Sequence, residues 1–282
     1  GGAMRREAVF FVTGAAHGIG AAFARLVVGR GCRVVLADLD VETARALAAA
    51  LGDAALAVPL DVRDAEAWER ALDQAWQRFG RVDVLVNNAG LLHDGTLLEQ
   101  TPEQLRHMLE VNLMGVVNGL RAAVPRLARQ GGGHVIDVGS LAGYVPLKGQ
   151  AFYSATKHAL RALHHAFALE QAGGPVAFTL VCPAAVDTRM LRRQVGADSN
   201  AVAFAGRPLT AEQVAEGLWR AAERRPRELL LPAAGGLGAR LLGAFPGLLA
   251  LVTPHIERAG RRALRALRAA GAERDRDEAR IR

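Results

Sequence analysis

Short apolar runs alternate with longer amphipathic stretches along most of the chain. The first run, residues 8–12, ends in a glycine-rich turn, and a stretch of small residues follows over 18–30. A short apolar run that ends in a turn is typical of a buried parallel strand, whereas a longer periodic stretch indicates a helix. The same pattern predicts six further strands, at residues 33–37, 55–60, 82–86, 134–138, 176–182 and 228–231.

Helical periodicity fills the segments between these strands. It predicts helices at residues 41–51, 65–79, 152–171 and 211–223. Another helix is predicted after Thr101, where Thr101 is the cap and Pro102 takes the first helical position. Strands that alternate with helices throughout predict an α/β fold with a doubly wound parallel sheet, covered by helices on both faces.

The length and the apolar content of the chain predict its domain organisation. With 282 residues, 51% of them hydrophobic, the chain has enough apolar material for one large core. We expect a single catalytic domain at residues 4–232 and an apolar, then basic, extension at 233–282. Gly1-Gly2-Ala3, ahead of Met4, resemble the remnant of an engineered cleavage site, and no secretory signal follows them.

The charge and the cysteines narrow the function classes. The formal net charge is +7, but only two of the 35 basic residues are lysine and aromatic residues make up 5%. Scattered arginines without clustered aromatics do not favour nucleic acid as a partner. Cys32 and Cys182 each lie beside an apolar run, so buried thiols in a reducing, cytoplasmic compartment are expected.

The turn between the first strand and its helix, residues 13–20, is rich in glycine. Glycine there lets backbone N–H groups and the helix N-terminus approach a pyrophosphate. Asp38 ends the second strand, where a carboxylate accepts hydrogen bonds from ribose hydroxyls and repels a 2′-phosphate. The alternative for residues 13–20 is an ordinary tight turn. The alternative for Asp38 is a helix cap, which Asp40 could supply equally well. No arginine follows Asp38 directly, so NAD(H) is favoured over NADP(H).

Several motifs appear in order along the chain. Residues 13–20 fit the pattern TGxxxGxG, Asp61-Val62 and the segment Asn87-Asn88-Ala89-Gly90 follow, and a tetrad completes the set: Asn112, Ser140, Tyr153 and Lys157. From residue 9 to 231 the chain thereby resembles the short-chain dehydrogenase/reductase family. The resemblance implies a Rossmann-type sheet with strand order 3-2-1-4-5-6-7, and an NAD-dependent enzyme that acts on CH–OH groups.

The resemblance also assigns roles to residues. It implies that Asp61-Val62 contact the adenine, that Lys157 binds the nicotinamide ribose, and that Asn112 holds a proton-relay water. The chain departs from the family pattern at Ala184, where glycine is usual, and at Gly139, where serine is usual. The implied cofactor-binding residues are Gly14, His17, Gly18, Ile19, Gly20, Asp38, Asp61, Val62, Asn88, Ala89, Gly90, Tyr153, Lys157, Pro183, Val186 and Thr188.

Tyr153 and Lys157 are four residues apart, so on a helix they share one face. A nearby ammonium and an oxidised nicotinamide favour the phenolate and lower the pKa of Tyr153, which then takes the proton of an alcohol while hydride leaves. Ser140 is placed to hold the substrate oxygen by a hydrogen bond. Taken singly, Tyr153 and Lys157 also fit a surface helix pair, Ser140 fits a strand-end cap, and Asn112 fits a buried polar residue.

Substrate contacts are expected from the loop 189–208, with Met190 and Leu191 among its apolar residues, and from His93, although a loop or core role fits His93 better. No His or Cys spacing suits a metal, so none is predicted. The extension is too interrupted, by Pro232, Gly235 and Gly236 among others, to span a bilayer. An interfacial membrane anchor, a subunit contact and a cavity cover are alternatives for it, and a helix packed on its own domain is favoured.

These observations favour an oxidoreductase that interconverts a secondary alcohol and a ketone on a lipophilic substrate, such as a steroid-like compound, a fatty-acyl derivative or a hydrophobic alcohol. An NADPH-dependent ketone reductase is one alternative. A cofactor-binding regulatory or scaffold protein on the same fold is another. By analogy with the family, a homodimer or homotetramer that meets across the helix at 152–171 is expected.

Overall fold

The computed structural model describes residues 7–193 and 198–281. Gly1-Gly2-Ala3 and Val195 of the predicted substrate loop lie outside the described residues. Seven strands form one parallel sheet in the order β3-β2-β1-β4-β5-β6-β7, which confirms the predicted fold class and strand order. The strands are β1 (Val9–Thr13), β2 (Arg33–Asp38), β3 (Ala55–Pro59), β4 (Val84–Asn87), β5 (Gly133–Val138), β6 (Val176–Pro183) and β7 (Glu228–Leu231).

Helices connect the strands at each crossover. They are α1 (Gly18–Gly29), α2 (Val41–Leu51), α3 (Ala65–Phe79), α4 (Pro102–Leu109), α5 (Gly115–Arg129), α6 (Ala151–Glu170), α7 (Arg189–Arg193) and α8 (Ala211–Arg224). Two more helices follow the last strand, α9 (Ala233–Ala244) and α10 (Pro246–Ile281). The predicted cap at Thr101 is present, and Gln104 completes it as a capping box.

The sheet is buried on both faces because its strands are apolar at successive positions. Phe10 and Val12 of β1 point into one core with α1, α2 and α8, while Val9 and Phe11 point into the other with α3 and α5. Side chains alternate between faces along a strand, so a strand buried on both sides must be apolar throughout. This is why the runs of the sequence are continuous rather than alternating.

The strand order reverses direction at the centre of the sheet. β1 pairs with β2 on one side, with Val12 opposite Leu36, and with β4 on the other, with Val12 opposite Val86. The loops that leave β1 and β4 therefore diverge and open a crevice at the carboxyl ends of the strands, where such folds bind their ligands.

Cys32 and Cys182 are both buried thiols away from solvent.

Candidate active site

A cavity of about 790 Å³ occupies this crevice. Its wall combines the turn after β1, the loops after β4, β5 and β6, and the first half of α6. Of the implied cofactor and catalytic residues, the wall includes Gly14, His17, Gly18, Ile19, Asp38, Asp61, Val62, Asn88, Ala89, Gly90, Ser140, Tyr153, Lys157, Pro183, Val186 and Thr188. The fold thus brings together residues that are up to 174 positions apart (188 − 14).

The glycine-rich turn passes very close to the loop after β4. Gly14 has a φ of +62°, and a Cβ on it would lie 3.0 Å from Cα of Ala89. A Cβ on Gly20 would lie 2.2 Å from the carbonyl oxygen of Gly14, so Gly20 packs behind the turn and is not itself on the cavity wall. The Asn88 amide donates to the carbonyl of Thr13 at 2.9 Å and fixes the two loops together. Only glycine tolerates these approaches.

The residues present fit a dinucleotide. Helix α1 begins at Gly18, its cap residue His17 makes no side-chain hydrogen bond to it, and its first turn contains no acidic residue. Its N-terminal N–H groups thus keep their capacity to bind a pyrophosphate, and the helix dipole favours the negative charge. The absence of side chains at Gly14 and Gly18, both on the wall, leaves room for that group.

Asp38 and Asp40 have separate roles. The carboxylate of Asp38 accepts hydrogen bonds from the backbone N–H of Ala16 and of Asp40, each at 2.8 Å, and Asp38 lies on the cavity wall. Asp40 caps α2 by accepting from the N–H of Thr43. The sequence left the cap open between these two residues, and the structure assigns it to Asp40.

Asp61 and Val62 line the wall beside two residues that the motifs did not indicate, Arg63 and His107. The guanidinium of Arg63 lies 2.6 Å from the carboxylate of Asp61, and its hydrogen bond lowers the pKa of that carboxyl. No spacing in the sequence marks Arg63 or His107. They reach this wall because the loop after β3 and helix α4 meet there.

Ser140, Tyr153 and Lys157 meet on the wall at the end of β5. Ser140 follows β5 and accepts a hydrogen bond from the N–H of Ala142 at 3.1 Å, which starts a short 3-10 turn. Tyr153 and Lys157 lie on successive turns of α6, as the spacing predicts. The Lys157 ammonium donates to the carbonyl of Val138 at 3.1 Å and lies 5.8 Å from the centre of the Tyr153 ring.

Burial determines the proton affinity of this pair. It raises the pKa of Tyr153 to about 12, against a hydrogen bond with Ser140 that lowers it. Burial also lowers the pKa of Lys157 to about 8. We expected the ammonium together with an oxidised nicotinamide to lower the pKa of Tyr153, and for the protein with that cofactor bound this stays a prediction. In the protein alone, loss of water around the phenolate is the largest effect on this pKa.

Asn112 lies behind the wall rather than on it. It sits in a π-helical turn, Glu110–Met114, between α4 and α5, and is buried. Its amide accepts from the N–H of Leu91 at 2.8 Å and donates to the carbonyl of Leu91 at 2.9 Å. The same amide donates to Thr156 Oγ1 on α6 at 3.2 Å. Asn112 therefore ties the loop after β4 to the helix of Tyr153.

The predicted substrate residues divide into two groups. Met190 and Leu191 line the cavity. His93 does not: its Nε2 lies 3.1 Å from Nδ1 of His107, and Gln100 donates to its carbonyl. Burial lowers the pKa of His93. His93 thus supports the loop behind His107, in keeping with the loop role that the sequence favoured.

Helices α9 and α10 close the cavity, which is one of the alternatives that the sequence left open for the extension. Their wall residues are Gly235, Gly238, Ala239, Leu242, Leu249, Thr253 and Ile256. Gly235 and Gly236, which interrupt the apolar run of the extension, lie inside α9. A Cβ on Gly243 would lie 2.2 Å from the Tyr144 carbonyl oxygen, and one on Gly260 would lie 1.7 Å from the Ala201 carbonyl oxygen. The glycines of the extension mark its close packing on the catalytic domain.

A partly buried carboxylate joins α9 to the rest of the domain. Glu228, at the start of β7, lies 2.6 Å from Arg240 of α9 and 2.5 Å from His165 of α6. Burial disfavours its ionised form, but hydrogen bonds from His165 and Arg240 favour it, and the pKa of Glu228 is lowered to about 2. One carboxylate thereby joins the sheet, the helix of Tyr153 and the closing helix.

The fold and the wall define a nicotinamide-dependent oxidoreductase that acts on hydroxyl groups. The model of the short chain dehydrogenase family matches residues 8–198. The chain belongs to the short-chain dehydrogenase family. Its α9 and α10 lie beyond the matched region, and among residues 7–193 and 198–281 no helix has the length and apolar character needed to cross a membrane.

Similar proteins of known name act on alcohols. The chain is 38% identical over 183 residues to a 2,5-dichloro-2,5-cyclohexadiene-1,4-diol dehydrogenase of Sphingobium indicum, which covers 64% of this chain and 73% of that one. It is 39% identical over 182 residues to a 3-alpha-(or 20-beta)-hydroxysteroid dehydrogenase of Mycobacterium tuberculosis, with 64% and 70% covered. A short-chain dehydrogenase/reductase from Burkholderia phymatum in complex with NAD superposes with a TM-score of 0.78 at 29% identity, over 86% of this chain and 95% of that one.

Proposed function

We propose that this chain is an NAD(H)-dependent dehydrogenase that interconverts a secondary alcohol and a ketone on a lipophilic, alicyclic substrate, with Tyr153 as the acid/base. The observation that carries the proposal is one cavity wall that holds Ser140, Tyr153 and Lys157 together with the glycine-rich turn and Asp38. Nicotinamide supplies a hydride acceptor or donor when it is bound. The protein supplies position, proton transfer and exclusion of water.

Tyr153 exchanges the proton at the substrate oxygen. In oxidation its phenolate takes the alcohol proton, and in reduction its phenol protonates the forming alkoxide. Ser140 donates to the same oxygen and holds it beside the phenol. Burial lowers the pKa of Lys157 to about 8. In its protonated form, Lys157 adds positive charge that favours the phenolate of Tyr153. Asn112 positions α6 and the loop after β4 through its amide.

Asp38 favours NAD(H) over NADP(H). Its carboxylate faces the cavity and is fixed by two backbone N–H groups, so it cannot turn away from an added phosphate without breaking both hydrogen bonds. Like charges in contact are unfavourable. Arg63, on the same wall, would support an NADPH-dependent reductase, but it is paired with Asp61.

The substrate class follows from the walls beyond Tyr153. They are largely aliphatic, from Val145, Leu147, Met190, Leu191, Ala239, Leu242, Leu249 and Ile256. Such walls favour an apolar skeleton through burial of its surface. The named relatives act on a cyclohexadienediol and on a hydroxysteroid. Alicyclic alcohols and steroid-like ketones are therefore the first substrates to test, ahead of fatty-acyl ketones.

The test measures NADH and NADPH affinity by fluorescence for wild type, Asp38→Ala, Arg63→Ala and the control Asp40→Ala. We expect wild type to prefer NADH, Asp38→Ala to lose that preference, and Asp40→Ala to keep it while losing the α2 cap. A turnover screen with Tyr153→Phe follows, and the loss of general acid/base catalysis should lower kcat/KM by about 10²–10⁴-fold. Cofactor binding without turnover of any ketone or alcohol would favour a binding or scaffold protein instead.

We further propose a cytoplasmic homodimer or homotetramer that meets across α6. The outward face of this helix exposes Ala155, Ala162, Ala166 and Leu169, with Leu169 72% exposed. Small side chains allow two helices to approach closely, and burial of Leu169 would favour the contact. Light scattering of Ala162→Arg beside wild type tests this: a monomeric wild type contradicts it.

A further inference from the structure

An apolar patch covers the outer surface of the α9–α10 hairpin. Of the thirteen large apolar side chains that are exposed among the described residues, five belong to it: Leu237 at 63%, Leu241 at 51%, Phe245 at 60%, Leu248 at 44% and Leu251 at 71%. Leu237, Leu241 and Phe245 are spaced four residues apart, along α9 and at its cap, and Leu248 and Leu251 follow in the first turns of α10. The five exposed side chains are thus concentrated around the junction of the two helices. Contiguous exposed apolar patches mark interaction sites, whereas single exposed residues do not.

A basic rim continues this patch along α10. Leu248, Leu251 and His255 are spaced by three or four residues, and Arg258, Arg262 and Arg265 continue the same spacing. Side chains so spaced lie on one face of a helix, and all six are exposed. The face is therefore apolar over its first turns and cationic over the next.

Negative charge is missing from the patch. Residues 229–256 contain no Asp or Glu. The first acidic residue beyond them, Glu257, is engaged by Lys148 at 2.8 Å and by Arg261 at 2.5 Å. Arg240, on α9, is held by Glu228. The patch thus presents an apolar centre with a positive margin.

We propose that this hairpin docks the enzyme on a membrane surface that carries anionic lipids. Apolar side chains that enter the interface and cations that meet lipid phosphates are what an interfacial helix needs, and neither helix has to span the bilayer. A second copy of the chain fits less well. In a two-fold contact the arginine margin of one copy would meet the same patch on the other copy, and residues 229–256 offer it no acidic partner.

The inner faces of the same helices line the catalytic cavity, at Ala239, Leu242, Leu249 and Ile256. The hairpin therefore separates the cavity from the patch by a single layer of helix. Docking would place the closing element of the cavity against lipid. This arrangement suits an apolar substrate, but the docking itself rests only on the outer surface and is independent of the proposed chemistry.

The test is flotation of the full chain with vesicles of phosphatidylcholine alone, and with vesicles that contain about 30% phosphatidylserine. Two variants address the patch: Leu241→Glu/Leu251→Glu, and Arg258→Gln/Arg262→Gln/Arg265→Gln. Matched controls alter the same residue types elsewhere on the surface: Leu98→Glu, and Arg25→Gln/Arg121→Gln/Arg129→Gln. NADH binding by every variant shows that it is folded.

We expect wild type and both controls to bind the anionic vesicles and to be released by high salt. Because each arginine near an anionic surface contributes a several-fold gain, the triple patch variant should lose roughly a hundredfold in partitioning. Failure of wild type to bind anionic vesicles would overturn the proposal, as would equal binding by the patch variants. A larger assembly of wild type that Leu241→Glu/Leu251→Glu dissociates, without vesicle binding, would instead make the patch a contact between copies.

Discussion

Lys148 and Glu257 are 109 residues apart in the sequence, and their side chains form an ion pair of 2.8 Å. Lys148 belongs to the loop between Ser140 and Tyr153, and Glu257 belongs to α10. The pair therefore joins the catalytic loop to the helix that closes the cavity. Lys148 and Lys157, the two lysines of the chain, both serve the active-site region, one at its margin and one in its centre.

Breaking this ion pair should weaken closure slightly. Because Lys148 is 62% exposed, solvent screens the pair and its effect should be small. We expect Lys148→Glu to raise KM for a bulky substrate by up to about fivefold with little change in kcat. The conservative variant Lys148→Arg keeps the positive charge and should keep KM close to that of the wild type. Steady-state kinetics measure both, and an unchanged KM in Lys148→Glu contradicts the clamp.

Removal of the Ser140 hydroxyl should shift the pH profile. Alcohol oxidation needs the phenolate of Tyr153 and rises with pH, whereas ketone reduction needs the phenol and falls. The hydrogen bond from Ser140 lowers the pKa of Tyr153, so Ser140→Ala should move both inflections to higher pH. The pH dependence of kcat/KM measures this shift.

Ser154→Ala is the control for that shift. Ser154 lies next to Tyr153, accepts from the N–H of Leu147 at 3.0 Å and is not on the cavity wall. Its loss should leave the inflections in place. An unmoved inflection in Ser140→Ala would show that Ser140 does not act on the proton of Tyr153.

Two glycines of α9 should respond oppositely to alanine. A Cβ on Gly238 meets nothing within 4 Å, so Gly238→Ala should stabilise the helix by about 0.5–1 kcal/mol. A Cβ on Gly243 would lie 2.2 Å from the Tyr144 carbonyl oxygen, so Gly243→Ala must displace α9. We expect Gly243→Ala to lower stability in urea unfolding and to raise KM. Equal effects of the two substitutions would contradict the packing.

Enlarging Ala239 should narrow substrate choice. Ala239 is buried on the cavity wall, and a phenylalanine there would occupy space needed by a multi-ring substrate. Ala239→Phe should lower kcat/KM for steroid-like ketones by about tenfold or more while a single-ring ketone is retained, because overpacking costs about 1–3 kcal/mol. The matched control is Ala244→Phe, on the exposed surface of the same helix. Equal loss for small and large ketones would place the substrate elsewhere.

His134 should make the fold sensitive to acid. It is fully buried, its Nε2 lies 2.9 Å from Thr179 Oγ1, and burial lowers its pKa from 6.5 to about 3. The unfolded chain binds a proton below pH 6.5 that the folded chain binds only near 3. Stability should therefore fall by up to about 1.4 kcal/mol per pH unit across that window. Urea unfolding of His134→Gln, with exposed His255→Gln as control, measures the slope; an unchanged slope in His134→Gln contradicts this cause.

The sequence by itself determined the sheet and most of its cofactor edge. Continuous apolar runs are required of strands buried on both faces, and residues 13–20 need glycine because the turn touches Ala89 and carries φ values that side chains resist. The i, i+4 spacing of Tyr153 and Lys157 places both on one face of α6 before any coordinate is known. These features depend on residues that are close together in the sequence, so the sequence alone predicts them.

The tertiary structure decided what depends on contacts between distant segments. It assigned the α2 cap to Asp40, placed Asn112 and His93 behind the wall, and brought Arg63 and His107 onto it. It also placed two glycines of the extension, Gly243 and Gly260, against backbone carbonyls of the catalytic domain. The pKa of Tyr153 also depends on distant segments, because it follows from how much water those segments remove from the phenol. Residue spacing alone does not specify that burial.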